Sequence, residues 1–66
     1  MELINELLKE ITEVEGKISR LQDFMKTEKY SRLDRKEQRL MIIQYNAMQV
    51  YNDVLWQRID EIKGRL

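Results

Sequence analysis

Residues 4–25 read INELLKEITEVEGKISRLQDFM. Apolar side chains recur in this stretch at alternating spacings of three and four residues, which is the pattern of a helix that packs along one side. Most positions between them hold charged or amide side chains suited to a solvated face. The pattern predicts an amphipathic helix over about residues 2–26. Its seam positions are Ile4, Leu7, Ile11, Val14, Ile18, Leu21 and Met25.

A second helix is predicted from about residue 35 to residue 64. It follows residues 27–34, which have no apolar seam and are predicted to form a turn. Asp34 and Glu37 have the spacing of a capping box, in which the Asp34 side chain accepts from the Glu37 amide and Glu37 reaches back. The seam of this second helix consists of Met41, Tyr45, Met48, Asn52, Leu55, Ile59, Ile62 and Leu66.

The two seams mirror each other. If they pair antiparallel, Leu7 lies opposite Ile59 and Ile11 lies opposite Leu55, and the residue numbers of every such pair add to 66. A short connection also favours antiparallel neighbours. The sequence therefore predicts an all-α fold, an antiparallel two-helix hairpin of the coiled-coil type, forming one domain over residues 1–66.

Residues 40–56, LMIIQYNAMQVYNDVLW, are apolar around the whole helix and not along one stripe. One partner helix covers only part of that circumference, and an all-round apolar helix is typical of a buried one. A hairpin of this length has no third helix to cover the rest, so we expect a second molecule to do so. A symmetric dimer forming a four-helix bundle is the simplest closed assembly, and a larger ring or a tetramer stays open. The predicted oligomer interface comprises Leu40, Ile42, Ile43, Val50, Tyr51, Val54 and Trp56.

The composition argues against catalysis and against a metal centre. The chain has no Cys and no His, so it lacks thiolate ligands, the commonest metal ligand and the commonest general base. Glu6, Glu10 and Glu13 share helical spacing, but a solvated face with nearby lysines explains them better than a cation site. We therefore expect no enzyme activity, no cofactor and no metal.

The net charge is zero, which argues against a general nucleic-acid binder. Residues 1–15 carry five Glu against Lys9, a net charge of −4, and residues 16–39 carry a net charge of +4 around the predicted turn. No apolar run approaches the roughly 20 residues that span a bilayer, and the acidic start of the chain lacks a signal-peptide pattern. An intracellular protein is expected.

A candidate ligand site lies on the second helix. Tyr51 and Trp56 offer aromatic faces for a base, Arg58 offers a fork for a phosphate, and Asn52 offers an amide. The alternative is that Trp, Tyr and Arg are there as interface residues, in which they are enriched. Asn52 has a further interpretation as a polar seam residue that fixes the pairing register.

The chain also resembles a known family. The pattern Leu21…Phe24, Tyr30…Leu33-Asp34…Glu37…Leu40…Gln44…Met48…Tyr51…Leu55…Arg58-Ile59 is similar to that of small helical-hairpin proteins of crAss-like and other tailed phages. The resemblance implies a phage accessory protein acting in the bacterial cytoplasm, and it supplies no active site.

Two functions follow as hypotheses. By analogy of size and architecture, the protein is an oligomeric sponge that counters host defence by sequestering a nucleotide immune signal. The alternative is a pure protein–protein module, either an oligomerisation unit or an inhibitor docking on a host protein.

Overall fold

A computed structural model describes residues 1–65 and shows three helices: α1 (Glu2–Phe24), α2 (Glu28–Ser31) and α3 (Arg35–Arg65). Residues 1–65 contain no strand. The prediction of an all-α fold is confirmed. Leu66, the last position of the second predicted seam, lies outside the described residues.

α1 ends at Phe24, and Thr27 is the N-cap of the next helix, α2. The Thr27 hydroxyl donates to the Phe24 carbonyl at 2.6 Å, and its oxygen accepts from the Tyr30 amide at 3.3 Å. A threonine in this position is a common helix N-cap. The sequence predicted a turn over residues 27–34, and the structure places the single helical turn α2 within that segment.

α2 is fixed to the start of α3 by a reciprocal pair of hydrogen bonds. Gln38 Nε2 donates to the Tyr30 carbonyl at 2.8 Å, and the Tyr30 hydroxyl donates to the Gln38 carbonyl at 3.3 Å. The Tyr30 ring also meets Phe24 edge to face, with centroids 6.3 Å apart. These contacts close the connecting end of the molecule with half-buried aromatic rings.

α3 begins after Asp34, whose Oδ1 accepts from the Glu37 amide at 2.8 Å, as the first half of a capping box requires. The helix continues through Gly64 to Arg65. Gly64 therefore does not end it, although glycine is the usual residue beyond a helix C-terminus.

The core lies between α1 and α3. It consists of Leu7, Ile11 and Val14 from α1 with Leu55 and Ile59 from α3, and the last two are only 2% and 1% exposed. The start of α1 lies beside the end of α3, because Leu3 lines a groove with α3 residues up to Arg65. Later residues of α1, 15–22, line a groove with earlier residues of α3, 49–53. The molecule measures 50 × 15 × 12 Å, about the length of one long helix.

The rest of the apolar surface of α3 is uncovered in a single chain. Val50 is 63% exposed, and no other side chain of the predicted oligomer interface is less than 42% exposed. Exposed apolar side chains of this number are typical of a surface that meets another molecule. None of the helices, over the described residues, is both long and apolar enough to cross a membrane.

Candidate functional site

The four predicted ligand residues lie on two sides of α3. At 3.6 residues per turn, Trp56 and Arg58 project about 160° apart, whereas Asn52 and Trp56 are one turn apart on the same side. Tyr51 and Arg58, two turns apart, share the other side. One small ligand therefore cannot touch Trp56 and Arg58 of the same chain, and a ligand that contacts both must lie between chains.

Glu15 of α1 joins Asn52 and Trp56 into one cluster. A single carboxylate oxygen, Glu15 Oε2, accepts from Asn52 Nδ2 at 2.9 Å and from Trp56 Nε1 at 3.2 Å. The hydrogen bond from Asn52, and next that from Trp56, lowers the pKa of Glu15 below its ordinary value because both stabilise the carboxylate. Asn52 Oδ1 is buried and has no hydrogen-bond partner in the described part of the chain.

Glu10 holds Tyr51 on the other side of the helix. The Tyr51 hydroxyl donates to Glu10 Oε1 at 2.7 Å. That hydrogen bond is the largest cause of a raised Tyr51 pKa, followed by burial and by the negative charge of Glu10, and the positive charge of Arg58 opposes the shift. The phenol is thereby kept protonated and its donor is engaged.

These contacts decide what the two clusters can bind. The donors of Tyr51, Asn52 and Trp56 already point at carboxylates, so an approaching phosphate would have to displace Glu10 or Glu15 against like-charge repulsion. The ring of Trp56 is 42% exposed and can still stack on a base. The donors of these side chains are thus engaged within the chain, and the Trp56 ring is the part of the Glu15 cluster that stays available for stacking.

Two open grooves contain such cations. One, at the start of α3, is lined by Arg35, Lys36 and Arg39 together with Ile42 and Ile43. The second, near the end of α3, is lined by Arg58 and Arg65 beside an acidic residue and apolar side chains of α1 and α3.

The sequence predicted a net positive charge around the turn but not this groove. Its signal is a basic run one turn ahead of two adjacent isoleucines, Ile42 and Ile43.

Within residues 1–65, no three acidic side chains are placed to hold a metal ion. Glu10, a member of the acidic set on α1, instead accepts the hydrogen bond from Tyr51. Glu15, also on α1, likewise accepts hydrogen bonds from side chains of α3.

Comparison with known proteins identifies the family to which the chain belongs. No curated protein and no solved structure matches it. A family model described as Sequestin matches residues 1–61, which is nearly the whole chain. The chain belongs to the Sequestin family.

Proposed function

We propose that this protein is a sponge: it self-associates and sequesters a small nucleotide signal without converting it. The observation that carries the proposal is the Sequestin match over residues 1–61, since the family name denotes sequestration. The resemblance to phage helical-hairpin proteins suggests in which organism and compartment the protein acts. On this proposal a phage makes the protein in the bacterial cytoplasm, where it lowers the concentration of a host immune signal.

The structure supports this proposal through the chemistry that α3 leaves exposed. Trp56 offers a stacking surface, and Arg58 offers a guanidinium with no ion-pair partner within residues 1–65. Base stacking on aromatic side chains is worth about 1–3 kcal/mol per base, and arginine binds phosphate in a bidentate manner. Because the two side chains point apart, a nucleotide that uses both bridges two chains.

Sequestration without turnover agrees with the residue types available. The chain offers no His or Cys to act as base or nucleophile. Tight binding alone is sufficient for the proposed role, since a sponge acts by mass action.

The direct test is calorimetric titration of the purified protein with cyclic nucleotides and with ADP-ribose-type nucleotides. We expect saturable binding to at least one of them. The nucleotide released by denaturing the complex should be chemically unchanged. No binding to any of these nucleotides would rule out the sponge, and a hydrolysed product would show an enzyme instead.

A second candidate function is that of a protein–protein module, favoured by one specific observation. The donors of Tyr51, Asn52 and Trp56 are engaged within the chain, while the large apolar side chains of α3 are exposed. Such a surface requires protein contact and no ligand. It fits an oligomerisation unit or an inhibitor that docks on a host defence protein.

Two substitutions separate these functions. In a sponge, Trp56→Ala and Arg58→Lys spare self-association and weaken nucleotide binding, because lysine keeps the positive charge of Arg58 but lacks its bidentate fork. Lys9→Arg on α1 is the control for the exchange of one cation for another. In a module, Trp56→Ala weakens assembly itself. Sedimentation velocity and calorimetry on the same preparations measure both properties.

A further inference from the structure

α3 carries a second apolar seam, about 140° around the helix from the seam that packs against α1. It has the same alternating spacing of three and four residues as the seam that packs against α1. Its apolar members are Leu40, Ile43, Ala47, Val50 and Val54, all exposed. The same spacing extends the seam to Lys36 at one end and to Gln57 and Glu61 at the other. A second seam on one helix is the pattern of a helix that packs between two partners.

We propose that this second seam binds the second seam of another copy of the chain, with the two α3 helices antiparallel. The proposal rests on the self-association proposed above and not on the ligand. In the register we assign, Ile43 lies opposite Val54 of the second copy and Ala47 lies opposite its Val50. The two residue numbers of each facing pair in the seam add to 97. The small Ala47 side chain at the centre allows the two helices to approach closely.

Charge complementarity selects this register. At each end of the paired seams, a lysine of one copy lies opposite a glutamate of the other. In an antiparallel pair, the positions beside the seam on one helix face the equivalent positions on the other helix. At these positions an arginine faces an aspartate, and a glutamate faces an arginine. Two-fold symmetry makes each pair occur twice, and no like charges face each other. The pairs are Lys36 with Glu61, Arg39 with Asp60, and Glu37 with Arg58 of the second copy.

Other arrangements of the same seam lose these pairs. A parallel arrangement in register brings Lys36 beside Lys36 of the second copy, and Glu61 beside its own counterpart. An antiparallel shift of seven residues in one direction brings Asp53 beside Asp53, and the opposite shift leaves Asp60 and Glu61 without partners. Like charges opposite each other destabilise the parallel arrangement and the first shift. The opposite shift opposes no like charges, but it replaces the three kinds of pair with one, Arg39 with Asp53 of the second copy.

Two open grooves on the seam are compatible with the same register. A smaller groove at the start of α3 is lined by Lys36, Arg39, Leu40 and Ile43, and the groove near the end of α3 includes Val54, Gln57 and Glu61. In the proposed pairing, each groove lies opposite the other groove of the second copy. The side chains that line one groove can therefore fill the other, as knobs fill holes between packed helices.

The proposed pairing does not produce a square four-helix bundle. The second seam lies about 140° around α3 from the seam that packs on α1, whereas a square bundle requires neighbours about 90° apart. The two α3 helices therefore lie in the middle of the dimer and the two α1 helices lie outside. Trp56 and Ile42 stay outside this contact.

Charge reversal with rescue tests the pairing. Arg39 and Asp60 are 21 residues apart in α3, about 31 Å along the helix, so they cannot compensate each other within one chain. We expect Arg39→Asp and Asp60→Arg each to raise the dimer dissociation constant by about tenfold. The double variant should restore it. Sedimentation equilibrium without ligand measures all three, and circular dichroism verifies that each variant is helical.

The controls make equal changes of net charge on the outer side of α1. Lys9→Glu matches Arg39→Asp, Glu13→Arg matches Asp60→Arg, and neither should alter association. If the wild type dimerises and the double variant is no better than the single variants, the pairing is overturned while sequestration stands. A wild type that stays monomeric at high concentration overturns both the pairing and the proposed self-association. Nucleotide binding by calorimetry then shows whether ligand capture survives.

Discussion

Trp56 donates its indole N–H to Glu15 across the contact between α1 and α3, with Nε1 and Oε2 3.2 Å apart. Asn52 donates to the same oxygen at 2.9 Å. One exposed carboxylate thus orients two of the four side chains predicted to bind a ligand. Because Trp56 is the only tryptophan, its fluorescence reports on this cluster.

The Glu15 cluster should respond to acid. The folded-state pKa of Glu15 is lowered by the hydrogen bonds from Asn52 and then Trp56. Its stabilisation is therefore present above the ordinary glutamate pKa of about 4.3 and is lost as the pH falls through the folded value. We expect Trp56 fluorescence to change in an acid transition below about pH 4.3, and Glu15→Gln to lack that transition. Identical acid profiles of wild type and variant would contradict the cluster.

The buried contact between α1 and α3 should dominate stability. Ile59 is 1% exposed within the core, and its truncation leaves a cavity. We expect Ile59→Ala to lower the free energy of unfolding by about 2–5 kcal/mol. Ile42→Ala makes the same chemical change at a site that is 47% exposed, and it should cost less than about 1 kcal/mol. Urea denaturation followed by circular dichroism measures both, and equal losses would contradict the assigned core.

The cap of α3 makes a separate contribution. Asp34→Ala removes the acceptor for the Glu37 amide, which lies 2.8 Å from Oδ1. We expect it to lower the free energy of unfolding by about 0.5–2 kcal/mol, and Asp34→Ser to retain most of the stability because serine caps similarly. Thermal unfolding of the two variants measures the difference. An Asp34→Ala protein as stable as the Asp34→Ser protein would show that the cap contributes nothing.

Gly16 tests whether another chain approaches α1. A Cβ added there meets only the flexible end of Arg20, at 3.2 Å, and the glycine does not have a positive φ. On a free surface, Gly16→Ala should therefore raise the free energy of unfolding by about 0.5–1 kcal/mol. Gly64→Ala, where a Cβ meets nothing within 4 Å, is the control near a helix end. Reduced association of Gly16→Ala would instead reveal a close contact with another copy at this position.

The core was predictable because helical periodicity determines which side chains share a side. Leu7, Ile11 and Val14 were placed in the first seam from their spacing alone, and Leu55 and Ile59 in the second. The start of α3 was predictable because Asp34 and Glu37 have a local capping pattern. The helical turn α2 was not, because four residues are too few to show a period; only its N-cap, Thr27, gave a local signal.

The surroundings of the candidate site residues were not predictable. Asn52 was expected opposite Val14, and it reaches the next residue, Glu15, with its amide. The hydrogen bonds of Glu10 and Glu15 join exposed residues about 40 positions apart and depend on rotamers and on the detailed register. The placement of Trp56 and Arg58 on opposite sides of α3 could have been predicted, since residues two apart point to opposite sides of a helix.

Capture of a nucleotide by a self-associated protein is tested most directly by native mass spectrometry of protein purified from bacterial cells with an active nucleotide-signalling defence. Sequestration predicts a closed homo-oligomer that carries the added mass of intact nucleotide at each site. A monomer with no added mass would contradict both self-association and ligand capture.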